Sequence, residues 1–325
     1  MAPSKQGRVA QALRSGPAGA SDDSPSRSVL PINGGDKSPP AHREAVLKTS
    51  LSRLLASFYP LAGRLRREGP SPHGTASVEC TDEGVPFTVA QSDKELESVY
   101  KMMNVADGSS WALLLKAWSA SARFGTISPQ LTPRFTAASI FPPVNPPPPV
   151  IVLPSHRKLH PRRFLIGARA LERLRSERTV RGARRPTRFE AAAGAVWRCA
   201  RRAREGLTNL CLIVSLRPRL SPPVRPNVVG NMWVTTATTT EEGIGEAVSG
   251  IDGDGVGGYG YYEADFGWGK PRRLGLANHD AGELALFVGT ASGEGLEVWV
   301  WLEEEVMVRF EKDPEIIGLV SHVGH

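Results

Sequence analysis

Apolar side chains in the first part of the chain recur with a helical period. Val46, Leu47, Leu51, Leu54, Leu55 and Phe58 share one face of a helix over residues 43–57, which Pro60 stops. Val85, Phe87 and Val89 alternate and predict a strand. Ser92 with Glu95 gives the capping pattern of a short helix after it. Asp107 is placed to cap a further helix carrying Trp111, Leu114, Leu115 and Trp118 on one face. From Pro129 to Pro161 proline is too frequent for a helix interior or a central strand, so this passage reads as a crossover. Thr187 with Glu190 forms a second capping box, opening a helix that runs to Arg204 with Gly206 just beyond. Its apolar stripe is Phe189, Ala193, Val196, Trp197 and Ala200. Strand-like runs follow at 211–216, 285–290 and 296–301. A closing helix over 303–312 puts its acids first, where the helix dipole favours them. Helices and strands mix along both halves, which predicts an α/β fold.

Length and composition narrow this only slightly. With 325 residues, 40% of them hydrophobic, the chain can bury one large core or two medium ones. Cys80, Cys199 and Cys211 have no paired spacing, which points away from a disulfide framework and from a zinc site. No N-terminal apolar segment and no run of membrane-spanning length occurs, so a soluble, cytoplasmic chain is expected. The net charge of +7 is uneven: residues 157–204 hold 16 Lys and Arg against Glu172, Glu177 and Glu190. Such a block reads first as a solvated basic face, then as an attractor of coenzyme phosphates. Nucleic-acid binding comes last, because no aromatic residues interleave with the charges in the way that stacks bases.

Asp265-Phe266-Gly267-Trp268-Gly269 is the most distinctive word in the chain. Its glycines permit a tight backbone path, its aromatics offer large buried area, and its acid needs a partner if buried with them. The word resembles the DFGWG signature of the plant BAHD acyltransferases, which move an acyl group from coenzyme A to an alcohol or amine. Further words support the resemblance: Phe58-Tyr59-Pro60-Leu61-Ala62-Gly63-Arg64, Arg217-Pro218-Arg219 with Pro222-Pro223, and Gly230-Asn231. The tail, including Ser292-Gly293-Glu294-Gly295, is also similar, and the wording is nearest to the alcohol acetyltransferase branch. The resemblance implies two chloramphenicol acetyltransferase-like domains with mixed sheets flanked by helices, the first domain incomplete. It places an unstructured segment at 1–44, a truncated N-terminal half at 45–128, a crossover at 129–163 and a C-terminal half at 164–325. It implies a monomer with no permanently bound cofactor, taking acyl-CoA as co-substrate and a small-molecule alcohol or amine as acceptor, with no membrane or nucleic-acid partner.

One residue breaks the pattern. The family's catalytic word is His-x-x-x-Asp-Gly, and Asp107-Gly108 matches its end, but Met103 stands four before Asp107. A thioether has no titratable proton and cannot serve as general base. By resemblance Asp107 is structural and pairs with Arg217 or Arg219, and Asp265 ties its own loop to an arginine. Residues before Lys101 and between Asn231 and Tyr261 look cut relative to the family, the latter to a glycine-rich connection. Gly255-x-Gly257-x-x-Gly260 matches a dinucleotide fingerprint by letter alone, since no strand precedes it and no helix follows. His156 and His160 lie among prolines with no third ligand in view, and His279 reads as a surface turn. Two functions remain: an acyltransferase weakened by the loss of its histidine, or a non-catalytic truncated member (splice product, pseudogene or faulty gene model) that at most binds acyl-CoA or a partner.

Overall fold

The computed structural model describes residues 39–67, 76–87, 107–142, 158–177, 184–206, 209–239, 259–271 and 282–324. They form two compact units. The first gathers the described residues up to 142 with Arg225–Asn231 and residues 259–271; the second holds the remainder. Two segments from the second half of the sequence are thus built into the first unit.

In the first unit, α1 (Pro40–Ser57) buries Leu47, Ser50, Leu51, Leu54 and Leu55. The helix starts earlier than the periodicity predicts. Pro40 sits in its first turn, where proline's fixed φ suits a helix and its missing N–H costs nothing. Residues 40–44, expected to be unstructured, thus lie in the helix, and residues 1–38 lie outside those described. A 3₁₀ turn over Tyr59–Ala62 leads into the antiparallel pair β1 (Arg64–Arg67) and β2 (Ala76–Glu79). The strand expected from Val85 is not formed over the described residues 81–87, although Val85 and Phe87 do pack on the core. Gly84 N instead bonds back to the Ala62 carbonyl, and Pro86 has no N–H for a ladder. Val89 and the Ser92–Glu95 box lie outside the described residues.

Helix α2 (Gly108–Phe124) packs on α1 through Leu113, Leu115, Ala117 and Trp118. The seam has a polar thread: Trp118 Nε1 donates to Ser50 Oγ at 3.0 Å, and Ser121 Oγ donates to the Ser50 carbonyl at 3.2 Å. Buried donors and acceptors are thereby satisfied, which fixes the register of the two helices. The short α3 (Ala137–Ile140) follows.

The second unit is built on a sheet of order β6-β7-β3-β8, every pair antiparallel. Its members are β3 (Leu159–Ile166), β6 (Leu284–Gly289), β7 (Leu296–Glu303) and β8 (Val320–Gly324). Pro161 lies inside β3, contrary to the exclusion of strands from the proline-rich passage. Over residues 159–162 the strand pairs with β7 alone and is an edge, where a residue without an N–H is tolerated. Strand β7 is buried from Leu296 to Leu302. One face of the sheet, with Leu296, Val298, Val300, Leu302, Phe164 and Ile166, forms the main core with three helices. These are α4 (Ala168–Glu177), α5 (Arg188–Arg204) and α6 (Glu304–Glu311). Phe310 of α6 meets Phe164 edge-on at 5.5 Å.

The capping box of α5 is present as predicted, Thr187 Oγ1 accepting from Glu190 N while Glu190 reaches back to Thr187 N. The helix is buried well beyond its predicted stripe. Ala192, Val196, Cys199 and Ala203 face the sheet core, while Ala193 and Trp197 face Leu212 and Val214. Ala191 and Ala195 face Leu174 and Leu319. Leu212 and Val214 belong to the ribbon β4 (Leu210–Ser215) and β5 (Trp233–Thr238). Strand β5 occupies the start of the connection that was read as glycine-rich. A last short helix, α7 (Pro314–Leu319), is capped by Asp313.

Candidate active-site turn

Asp107 stands with extended backbone dihedrals just before α2, and its Oδ1 accepts from Ser110 N and Ser110 Oγ, both at 2.9 Å. An acid there satisfies one of the donors that every helix start leaves open and meets the positive end of the helix dipole. Ser110 Oγ accepts in turn from the N–H of Gly230 at 3.1 Å, so the Gly230-Asn231 pair is held at the first turn of α2. Tyr261 Oη donates to the Gly108 carbonyl at 3.0 Å. Three segments far apart in sequence meet at the Asp107-Gly108 turn. Asp107, Gly108 and Asn231 were legible as motif residues; Ser110 and Tyr261 were not.

The Asp265 loop explains its own sequence. Asp265 Oδ1 accepts from the N–H of Gly267 at 2.9 Å and of Gly269 at 3.0 Å. For both amides to converge on one oxygen the backbone takes φ of 108° at Gly267 and 100° at Gly269. Only glycine adopts such values without strain. Space is not the reason, since a Cβ on Gly267 would meet nothing within 4 Å. Oδ2 of Asp265 accepts from Arg123 Nη1 at 2.8 Å, so the arginine tying this loop is Arg123, in the last turn of α2. Phe266 meets Trp118 edge-on at 5.3 Å and stacks on Trp268 at 5.8 Å. Met103 lies outside the described residues. Arg217 and Arg219 form a 3₁₀ turn in the second unit, where Arg217 is buried and Arg219 Nη1 donates to the Ser215 carbonyl at 2.9 Å.

The basic block is paired in part and solvated in part, with Arg173, Arg184 and Arg185 about half exposed. Arg162 pairs with Glu311 at 2.8 Å and Arg163 with the buried Glu297 at 2.9 Å. Arg204 reaches Glu283 and Glu303, and Arg198 reaches Glu315. Arg202 spans Asp313 at 2.7 Å and Glu315 at 2.8 Å. Six acids from residues 283–315 thus meet five of the sixteen cations. Donor atoms of Cys199, Asp313 and Glu315 lie within 4.8 Å of one another. That set does not suit a metal ion, because Arg202 Nη2 already contacts Asp313 at 2.9 Å and Cys199 Sγ at 3.2 Å. Burial, then the charges of Asp313 and Glu315, push the Cys199 thiol well above its usual range, so it stays protonated and inert. The Arg202 hydrogen bond holds Asp313 below the ordinary carboxylate value, against a smaller effect of burial. Burial pushes Glu315 up, and Arg198 and Arg202 together outweigh it and leave it lowered. His160 Nε2 lies 3.5 Å from Glu304, and His156 and His279 are outside the described residues.

One unit thus holds helices packed on an open antiparallel sheet, and the other a capped Asp-Gly turn and an aromatic loop. A family model described as Transferase family matches residues 32–106, 104–249 and 255–317, and the chain belongs to that family, the BAHD acyltransferases. It is 25% identical over 376 positions to limonoid 21-O-acetyltransferase of Melia azedarach, with 85% of each chain covered. With vinorine synthase of Rauvolfia serpentina it shares 24% over 373 positions, covering 87% of this chain and 86% of that one. The crystal structure of vinorine synthase superposes with a TM-score of 0.67 at 23% identity, covering 89% and 88% of the two chains. F. graminearum TRI101 complexed with coenzyme A and T-2 mycotoxin gives 0.65 at 14%, covering 89% and 93%. Family members transfer acyl groups from acyl-CoA. Among the described residues, no helix is long and apolar enough to cross a membrane.

Proposed function

We propose that this chain is an acyl-CoA:alcohol or amine acyltransferase of plant small-molecule metabolism whose chemical step is impaired. The observation that carries the reading is the Asp107-Gly108 turn, formed and capped, with methionine four residues before it. In the reaction the acceptor O–H or N–H loses its proton to a base as its heteroatom attacks the thioester carbon. The tetrahedral oxyanion then collapses, the C–S bond breaks, and the coenzyme thiolate takes up a proton. Met103 can accept no proton, and general-base assistance is worth about 10²–10⁴-fold. A shortened chain also positions its substrates less well. Two observations support the shortening: the family match is broken at residues 104–106 and 249–255, and alignments of 376 positions exceed the 325 residues of this chain. On this reading acyl-CoA is a co-substrate, and no cofactor is permanently held.

Thiol release from acetyl-CoA across an alcohol panel, for the protein and for Met103→His, tests the reading. We expect slow release that rises in the variant without reaching ordinary enzyme rates. Release that is absent in both favours the second reading, a non-catalytic truncated member that at most binds acyl-CoA or a partner.

A further inference from the structure

Residues 259–269 run alongside α2 and touch it along its length. At the N-terminal end Tyr261 Oη donates to the Gly108 carbonyl at 3.0 Å. In the middle Glu263 pairs with Lys116 at 2.7 Å and Phe266 meets Trp118 edge-on at 5.3 Å. At the far end Asp265 takes Arg123 at 2.8 Å. From Gly108 to Arg123 the helix axis covers about 22 Å. The contacts reach from the first turn of the helix to its last, so the segment is a splint that ties both ends of the helix and not a loop resting on one spot.

The two ends differ in what they hold. The Asp265 end is tied to a side chain that is itself half exposed. The Tyr261 end is tied to backbone, at the residue that follows the motif acid. Tyr259 packs against Tyr261 with ring centroids 5.5 Å apart. A Cβ on Gly108 would come within 2.9–3.0 Å of the Tyr259 ring and 3.2 Å of Tyr261 Oη. Glycine at 108 thus lets the two tyrosines close on the turn. Asp107 is held from the other side by Ser110, which Gly230 engages in its turn.

We propose that Tyr261 is a positioning residue. Its hydroxyl, supported by Tyr259, sets the placement of the Asp107-Gly108 turn, and the Asp265 loop anchors the splint that delivers it. The family reading gives the turn its functional meaning; the mechanical claim stands on contacts alone, so each can fail separately. The test is amide hydrogen exchange along α2 in the full chain and in Tyr261→Phe, which removes one oxygen. Exchange at residues 108–111 should rise about five-fold, the equivalent of one neutral hydrogen bond. Residues 118–124 should stay within about two-fold. Gly108→Ala, which crowds both tyrosines, should raise the same amides, and Gly108→Ala/Tyr259→Leu should bring them part of the way back. Unchanged exchange at 108–111 in Tyr261→Phe, or an equal rise along the whole helix, would overturn the proposal. So would a Gly108→Ala effect that trimming Tyr259 leaves untouched.

Discussion

The two units solve the problem of holding a central helix in opposite ways. In the first, α2 is held by aromatic edges, serine hydroxyls and one splint, with ion pairs at Lys116 and Arg123 on its flank. In the second, α5 is held by small side chains packed on three clusters, and its C-terminal turns by arginines bridging to acids from residues 283–315. The first arrangement is directional and places one turn. The second stabilises a core: the Cys199 thiol beneath its arginines is held protonated, and Asp313 and Glu315 are paired with Arg202.

The largest test of this contrast lies in the second core. Phe310→Ala removes a fully buried ring against Phe164 and should cost about 3–5 kcal/mol in denaturant unfolding. Next, Arg202→Ala leaves the buried Asp313 without its main partner. Because Arg202 is half exposed, the loss should be about 1–3 kcal/mol, below that of a fully buried pair. The same arginine sets an acid response. Asp313 and Glu315 are lowered in the folded state, from ordinary values of 3.8 and 4.5. The unfolded chain therefore binds more protons in that range, and stability is full above about pH 4.5 and falls as pH drops through the lowered folded values. Urea midpoints at pH 6 and pH 3 should show this slope, and Arg202→Ala should flatten it. A smaller effect is expected in the first unit, where Asp265→Asn keeps an acceptor for the glycine amides but loses the Arg123 charge pair, at a cost of about 1 kcal/mol. Smallest in energy is a labelling test: Cys80 and Cys211 are exposed and should react with a thiol reagent in the native protein, while Cys199 stays silent until unfolding.

What could be read from the sequence follows the range of the interactions. The Asp265 loop was legible because its acid and the two amides it binds lie within five residues. The caps at Asp107 and Thr187 were legible for the same reason. Pairing across long separations was not. Arg123 lies 142 residues from Asp265, and Tyr261 lies 153 from Gly108, with no local pattern linking either pair. The pairing inside the arginine block was hidden for the same reason, since the acids it meets lie in residues 283–315. Strand β5 was missed because Trp233-Val234-Thr235-Thr236-Ala237-Thr238 has no clear apolar alternation, and its place is set by register against β4. Pro161 argued against a strand that long-range pairing with β7 nonetheless forms.

The central proposal is that the fold keeps the acyltransferase turn while the chain lacks the base that would use it. Single-turnover and steady-state release of coenzyme A by the unmodified protein, with acetyl-CoA and an alcohol panel, tests this most directly. The account predicts turnover far below the roughly 1–10³ s⁻¹ of ordinary enzymes. Turnover within that range from the unmodified chain would contradict it and would mean that another group takes the acceptor proton.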